Sequence, residues 1–178
     1  DLFTAGNYTA KSAFDLALYD ISAKHAKQPL YQFLGGQQKR IESDLTIGIA
    51  DPETMAETAL SFKQKGVNMI KVKLGKEVAT DIERIKKIRN AIGDSIMLRI
   101  DANQGWSFED AVTALTSLGQ YNIQFCEQPM RKWNDHLLPE LCKISPIPIM
   151  ADESVFTHHD AARIIRNNAC HYINIKFA

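Results

Sequence analysis

Three carboxylates stand at matching positions in successive stretches of the chain. Asp101, Glu127 and Asp152 each lie at the end of an apolar, strand-like run. About 25 residues separate one from the next, the length of one strand plus one helix. Carboxylates that converge on one pocket repel each other unless a cation lies between them. They are hard oxygen ligands with no His or Cys in matching positions, so the pattern predicts Mg²⁺, or Mn²⁺, rather than zinc.

Each of these acids has an ordinary alternative. A single carboxylate at a strand end is usually a salt-bridging or helix-capping residue. That interpretation weakens when three acids recur at equivalent places in consecutive units. The series therefore favours a metal site over three unrelated surface acids.

Two lysines extend the same series. Lys73 stands one unit before Asp101, and Lys176 stands one unit after Asp152. A lysine beside a divalent cation and a second lysine has its neutral form favoured, which makes it a candidate base for taking a proton from carbon. The alternative is a counter-ion without a role in proton transfer. Lys71 shares a strand face with Lys73, and we expect it to shape the electric field around Lys73.

Six strand-like runs are expected to position these side chains, and helix-like stretches separate them. The first two of these helices end near Gly66 and Gly93, as helices commonly do, and Thr80 and Ser107 are N-cap candidates. The predicted strands are DLTIGI (44–49), MIKVKLG (69–75), IMLRIDAN (96–103), IQFCEQP (123–129), IPIMADES (147–154) and YINIKF (172–177).

Repeated strand–helix units fit either a doubly wound sheet or a (β/α)8 barrel. No phosphate-binding glycine fingerprint follows any of the strands. Polar residues at the ends of five strands converge on one point in a barrel but spread along a line in an open sheet. We therefore predict an α/β fold, a (β/α)8 barrel of the TIM type. About six of its eight strands are expected here, in a piece of a longer protein.

Alternation along the second strand predicts which face looks into the barrel. The aliphatic residues of MIKVKLG (69–75) alternate with Lys71 and Lys73. Helices cover the outside of a barrel, so the aliphatic face points outward and the lysines point into the lumen. By the same parity Thr46 on the first strand is expected to face inward and to contact substrate.

Composition excludes some classes of function. The chain has 21 basic and 21 acidic residues and a formal net charge of zero, which gives no sign of binding to nucleic acid or to a membrane surface. No apolar run is long enough to cross a membrane. Three cysteines without metal-ligand spacing are typical of a reducing compartment, so we expect a cytoplasmic protein.

Five short motifs resemble those of one enzyme family in order and spacing. They are KVK (71–73), DANQGW (101–106), EQP (127–129), ADES (151–154) and NIK (174–176). The set resembles the enolase superfamily, in its muconate-lactonizing (mandelate racemase/muconate cycloisomerase) subgroup. Within the subgroup the chain looks most like the dipeptide epimerases of the L-Ala-D/L-Glu type.

The resemblance implies a role for each matching residue. Asp101, Glu127 and Asp152 are implied to be the Mg²⁺ ligands, and Lys73 and Lys176 the two acid/base lysines. Lys71, Asn103 and Glu153 are implied to support them. Residues 1–40 would hold a helix where a capping domain joins the barrel, and residues 41–178 a partial barrel that forms the catalytic domain.

Such enzymes abstract a proton alpha to a carboxylate and pass through an enediolate. Two lysines on opposite sides of the site suit removal and return of that proton, so the expected function is Mg²⁺-dependent epimerisation of a dipeptide. The expected partner is a small carboxylate-bearing substrate, and the protein is a possible homo-oligomer.

Trp106 is expected to pack at the rim, Gln128 to orient a neighbouring group, and His158 and His159 to begin a helix.

Other functions stay open at this point. Muconate cycloisomerase and o-succinylbenzoate synthase use the same kind of site. A lysine Schiff-base aldolase on the same barrel would need one lysine and no metal. A partial barrel without catalytic activity is the remaining alternative, because six strands would leave two open sheet edges.

Overall fold

The computed structural model describes residues 6–176, which divide into two compact units. The smaller unit comprises the described residues up to Glu42 together with Ile175 and Lys176. The larger unit runs from Ser43 to Asn174 and contains the strands. None of the helices in residues 6–176 is long and apolar enough to span a membrane.

The smaller unit contains two helices, α1 (Tyr8–His25) and α2 (Leu30–Phe33). The sequence predicts a single helix within 9–36 that ends in a turn containing Pro29, and the structure adds α2 after that turn. Lys27 adopts a left-handed φ of 53°, and Pro29, which cannot continue a helix ladder, becomes the N-cap of α2. Apolar side chains of α1 such as Phe14 and Leu18 are exposed in the described structure.

The larger unit alternates strands and helices from end to end. Its elements are β1 (Leu45–Ile47), α3 (Pro52–Gln64), β2 (Met69–Lys73), α4 (Val78–Ile92), β3 (Met97–Asp101), α5 (Phe108–Leu118), β4 (Ile123–Glu127), a 3-10 helix (Lys132–Leu137) leading into α6 (Leu138–Ile144), β5 (Ile149–Ala151), α7 (His158–Arg166) and β6 (Tyr172–Ile173). The predicted alternation is confirmed over this part of the chain, as five strand–helix units followed by a sixth strand.

All six strands of the described residues pair in parallel, in the order β1-β2-β3-β4-β5-β6. Parallel neighbours with a helix between them are the βαβ unit, and a chain of such units places every carboxyl end at one edge of the sheet. The register is offset once, between β3 and β4, where Leu98 pairs with Ile123 but Ile100 pairs with Cys126.

The two faces of the sheet differ as the alternation of residues predicted. Ile70, Val72 and Leu74 are at most 1% exposed and belong to the core beneath the helices. Lys71 and Lys73 lie on the opposite face and are half-buried. Burial of each such aliphatic side chain contributes roughly 1.5–3 kcal/mol to the stability of the folded protein. The uncharged face of β2 therefore stabilises the position of the strand.

Side chains cap the starts of α3, α4, α5 and α7 in the larger unit, and one of these caps is not where it was predicted. Ser107 begins α5 in a capping box with Asp110, as the sequence predicted. The prediction of Thr80 as the N-cap of α4 is wrong. Glu77 takes that place, and its carboxylate accepts from the N–H groups of Ala79 and Thr80. A carboxylate there also opposes the positive end of the helix dipole.

The loop after β2 and the loop after β3 touch through backbone rather than side chains. A Cβ atom on Gly75 would lie 1.9 Å from the carbonyl oxygen of Ala102, and one on Gly105 would lie 2.1 Å from the carbonyl oxygen of Gly75. Gly75 also has a φ of +96°. Glycine at both places therefore lets the carboxyl ends of β2 and β3 close on each other.

Candidate active site

Four charged side chains meet at the carboxyl edge of the sheet because the strand register aligns them. Lys73, Asp101 and Glu127 are the last residues of β2, β3 and β4, and the ladder pairs Lys73 with Asp101 and Asp101 with Glu127. Lys71 lies two residues earlier on the same face. Side chains at paired positions of a parallel sheet point the same way, so these groups converge.

Hydrogen bonds join these groups into one cluster. The Lys71 ammonium lies 2.9 Å from Asp101 Oδ2 and 2.6 Å from Glu127 Oε2. The Lys73 ammonium lies 2.7 Å from Asp101 Oδ2 and 2.7 Å from Asn103 Oδ1. One oxygen of Asp101 thus serves both lysines. The structure brings together Lys71, Lys73, Asn103, Asp101 and Glu127, as the sequence predicted.

The electrostatics of the cluster separate its two carboxylates. Burial raises the pKa of Asp101, but hydrogen bonds from Lys71 and Lys73 outweigh it and hold that pKa below its ordinary value. Burial raises the pKa of Glu127 above its ordinary value; the hydrogen bond from Lys71 lowers it only in part, and the Asp101 and Asp152 carboxyls add to the rise. The pKa values of the two carboxyls are therefore shifted in opposite directions, that of Asp101 by its two lysines and that of Glu127 mainly by burial.

Lys71 keeps its proton in this arrangement. Burial lowers the pKa of its ammonium, but the hydrogen bonds to Asp101 and Glu127 outweigh burial and raise it. Its side chain is 17% exposed, against 31% for Lys73. Lys71 is thus a fixed cation at the base of the site, and Lys73 is the more accessible amine.

Asp152 directly follows β5, beside these groups. The residue is 6% exposed, and its backbone N–H donates to Gln128 Oε1 at 2.9 Å. Its carboxyl adds to the rise in the pKa of Glu127. The third predicted ligand therefore lies against the second.

Asn174 is a member of the site that sequence reasoning assigned no role. Its Nδ2 donates to Glu127 Oε1 at 3.1 Å, so Glu127 is held by Lys71 on one oxygen and by Asn174 on the other. The signal was present in the alternation of the last strand, where Asn174 falls between Ile173 and Ile175.

The donor set fits Mg²⁺ in chemistry, with Lys71 in a central place. Asp101, Glu127 and Asp152 are carboxylates from three consecutive strand ends, and oxygen donors of this kind are the ligands of Mg²⁺. Within residues 6–176 no set of three or more acidic, His or Cys side chains is already arranged to hold a metal ion. The cation in contact with both Asp101 and Glu127 is the ammonium of Lys71.

The remaining predicted residues lie in different surroundings. Thr46 is exposed and pairs in register with Lys71. Glu153 has a buried Oε2 with no hydrogen-bond partner in the structure as described. Lys176 belongs to the smaller unit, and its role beside Lys73 stays a prediction. His158 begins α7, as expected.

Trp106 does more than pack at the rim, because it donates to the carboxylate of Asp81, a residue to which sequence reasoning assigned no role. Asp81 is fully buried, and its Oδ2 accepts from Trp106 Nε1 at 3.0 Å and from the N–H groups of Gly75 and Lys76. Its Oδ1 accepts from Arg84 at 2.8 Å. Asp81 thereby ties α4 to the loops after β2 and β3.

Two family models match this chain. Residues 54–178 match the family model described as enolase C-terminal domain-like. Residues 2–35 match the mandelate racemase/muconate lactonizing enzyme N-terminal domain. The five motifs of the sequence, from KVK (71–73) to NIK (174–176), all lie within the first of these matches.

Individual relatives are epimerases. A D-Ala-D/L-Ala epimerase of Cytophaga hutchinsonii is 49% identical over 179 residues, 100% of this chain and 49% of the relative. An L-Ala-D/L-Glu epimerase of Clostridium acetobutylicum is 43% identical over 96% of this chain and 48% of its own length. The chain therefore spans about half the length of the curated relatives it matches.

A solved structure shows the same fold. The crystal structure of a dipeptide epimerase from Cytophaga hutchinsonii, complexed with Mg and the dipeptide D-Ala-L-Val, superposes with a TM-score of 0.95 at 49% identity. The superposition covers 98% of this chain and 48% of the other. At this similarity the six-stranded sheet corresponds to part of that protein's fold.

Proposed function

Because the chain belongs to the enolase superfamily, we propose that it carries the metal-binding and proton-transferring residues of a Mg²⁺-dependent dipeptide epimerase. The observation that carries the proposal is the ion cluster at the carboxyl edge of the sheet, where Lys71 and Lys73 share Asp101. Epimerase relatives at 43–49% identity support the same reaction class.

Asp101, Glu127 and Asp152 would hold the metal. Bound there, Mg²⁺ would supply Lewis-acid stabilisation of the negative charge that develops on the substrate carboxylate. A divalent cation held there would offset the mutual repulsion of the three carboxylates. The Mg complex of the Cytophaga hutchinsonii relative supports this choice of ion.

Lys73 is the proposed base. In its neutral form, Nζ accepts the proton alpha to the substrate carboxylate, and the C–H electron pair moves into the carboxylate to give an enediolate. Lys71 keeps its proton and stabilises the negative charge nearby. Asn103, bonded to Lys73 Nζ, fixes the direction from which that amine approaches.

Lys176 is the proposed second acid/base group. Its ammonium would donate a proton to the opposite face of the same carbon, so that one C–H bond breaks and another forms with inverted configuration. Thr46, exposed on the strand beside Lys71, is proposed to contact the substrate, and Glu153 to support Asp152.

The domain division and the setting belong to the same proposal. We assign residues 1–40 to the junction with a capping domain and residues 41–178 to the catalytic barrel. Separation of the described residues between Glu42 and Ser43 supports that division. Three free thiols support a cytoplasmic, reducing location.

Deuterium exchange tests the proposal. The full-length protein with Mg²⁺ in D₂O should exchange the α-proton of a dipeptide while epimerising it, followed by NMR. The panel includes D-Ala-D-Ala, L-Ala-L-Glu and D-Ala-L-Val, which represent the chemistry of the relatives. Absence of exchange with every dipeptide would reject epimerisation. Activity that survives a chelator, with borohydride trapping of a substrate adduct, would favour a Schiff-base aldolase instead.

A further inference from the structure

Gln128 occupies a position where the backbone favours glycine. Its φ is +37°, in the left-handed region, and it precedes Pro129, which restricts it further. A non-glycine residue held there costs of order 1–3 kcal/mol and persists only where the surroundings compensate. Glycine would avoid the strain, so the compensation must come from the Gln128 side chain.

That side chain is completely bonded inside the protein. Gln128 is 1% exposed. Its Oε1 accepts from the N–H of Asp152 at 2.9 Å and from the N–H of Ser154 at 3.2 Å. Its Nε2 donates to Met130 O at 3.0 Å and to Ser154 Oγ at 2.8 Å. The opposite amide orientation would set an NH₂ group against two N–H donors, so the assignment is unambiguous.

These bonds connect the ends of all three strands that carry the proposed ligands. Gln128 follows Glu127 in the chain. Its carbonyl oxygen accepts from the N–H of Gln104 at 2.8 Å, in the loop after Asp101. Its carboxamide holds the backbone of Asp152. One residue therefore touches the loop or backbone of each acid.

We infer that Gln128 is a positioning residue for metal binding: its buried carboxamide holds the backbone of Asp152 beside Glu127, and its backbone carbonyl holds the loop after Asp101. The inference rests on the proposed function. Outer groups that orient metal ligands commonly change metal affinity by 10- to 100-fold when replaced. Within the carboxamide the oxygen carries this role, because Oε1 and not Nε2 is hydrogen-bonded to the backbone N–H of Asp152.

The test compares two variants of the full-length enzyme in calorimetric titrations with Mg²⁺ alone. Gln128→Gly removes the carboxamide and relieves the backbone strain, so the fold should be retained while Mg²⁺ affinity falls about 10- to 100-fold. Ser154→Ala removes one partner of Nε2 and leaves the oxygen's contacts intact, so its affinity should stay within about threefold of wild type, a smaller change than that expected on loss of the carboxamide.

Thermal unfolding of the apo proteins separates affinity from stability. Should Gln128→Gly unfold at the assay temperature, Gln128→Met, which fills a similar volume, takes its place with the same expected loss. Wild-type affinity in the Gln128 variant, or an equal loss in Ser154→Ala, would overturn the inference alone. A wild-type enzyme that binds no Mg²⁺ would overturn the proposed metal site as well.

Discussion

At the scale of single residues, Asp101 Oδ2 is the central atom of the charged cluster, because it accepts hydrogen bonds from the ammonium groups of both lysines. The two donors differ in what else they touch. Lys71 also binds Glu127 and is the less exposed, whereas Lys73 binds the neutral amide of Asn103. Two lysines one pleat apart can therefore take different roles, one a permanent charge and the other a base.

Substitution of the two lysines should separate these roles. Lys73→Ala removes the proposed base and should lower α-proton exchange in D₂O by about 10²–10⁴-fold. Lys71→Ala removes charge stabilisation but no proton acceptor, so exchange should slow less than in Lys73→Ala. NMR of the dipeptide measures both rates, and thermal unfolding confirms that each variant is folded. Normal exchange in Lys73→Ala would contradict the assignment of the base.

Much of the site could be predicted from residue types and spacing. Alternation placed Lys71 and Lys73 on one face, and the repeat brought Asp101 and Glu127 beside them. The groups that Gln128 orients, and any role for Asp81, could not be assigned in the same way. Their roles depend on backbone N–H groups of other loops, Asp152 for one and Gly75 for the other, and a sequence pattern carries no information about such contacts.

At the scale of elements, the loops after β2 and β3 approach too closely for side chains. Gly75→Ala would place a methyl group 1.9 Å from the Ala102 carbonyl oxygen at a φ of +96°. Gly66→Ala has the same kind of backbone, φ +80°, with nothing within 4 Å. The pair therefore separates the cost of the clash from the cost of the left-handed backbone.

Urea unfolding of the full-length protein measures that difference. Gly66→Ala should lose about 1–2 kcal/mol of unfolding free energy, the ordinary penalty of a left-handed alanine. Gly75→Ala should lose about 1–3 kcal/mol more, since the backbone of Ala102 must move. It should also reduce α-proton exchange, because Lys73 and Asp101 end the two displaced strands. Equal destabilisation by the two variants would contradict the close approach.

The buried pair of Asp81 and Arg84 gives a second prediction at this scale. Arg84→Met leaves a fully buried carboxylate without its counter-charge, and should destabilise the protein by about 3–5 kcal/mol. Lys87→Met, on the same helix α4, breaks the solvent-exposed pair with Glu53 and should change stability little. Urea unfolding compares the two, and similar losses would show that burial of Asp81 is unimportant.

Helix boundaries were predictable where a side chain forms hydrogen bonds to the backbone N–H groups that follow it. Ser107 and Asp110 form a capping box that is visible in the sequence as Ser followed by an acid three residues on. At α4 the sequence predicted Thr80, but Glu77 is the cap because its carboxylate accepts from the N–H groups of both Ala79 and Thr80. The break between α1 and α2 follows from Pro29, which the sequence shows plainly.

At the scale of the whole molecule, the three cysteines differ in how deeply the fold buries their thiols. Burial raises the pKa of the Cys126 thiol well above its ordinary value, and the Asp101 and Glu127 charges add to the rise. Burial likewise raises the pKa of Cys142, to about 11. Since thiolate is the reactive form, each thiol is protected in proportion to its burial.

Alkylation of the native protein with iodoacetamide should follow that order. Cys126, in the core between β3 and β5, should stay unmodified while the half-buried Cys142 and Cys170 react slowly; in urea all three should react. Mass spectrometry of the digested protein gives the extent at each site. Labelling of Cys126 as fast as Cys142 would show that the sheet opens locally rather than globally.

The general architecture was predictable at this scale because independent patterns in the sequence predict the same fold. Strand alternation, helix periodicity and a recurring polar end all point to one parallel βα series. Partition of Ile175 and Lys176 with the smaller unit was not predictable, since it depends on contacts between distant parts of the chain. Residue types determine which side chains share a face of a strand, whereas long-range contacts determine to which unit a segment such as 175–176 belongs.

Strand order equal to chain order has a consequence for synthesis on the ribosome. Each strand pairs with the strand translated just before it, so the site grows in the nascent chain without waiting for a distant partner. At about 5–20 residues per second, a unit of about 25 residues emerges within a few seconds. Lys71 precedes both acids that it binds, so Asp101 and Glu127 each enter a neighbourhood that already contains their cation.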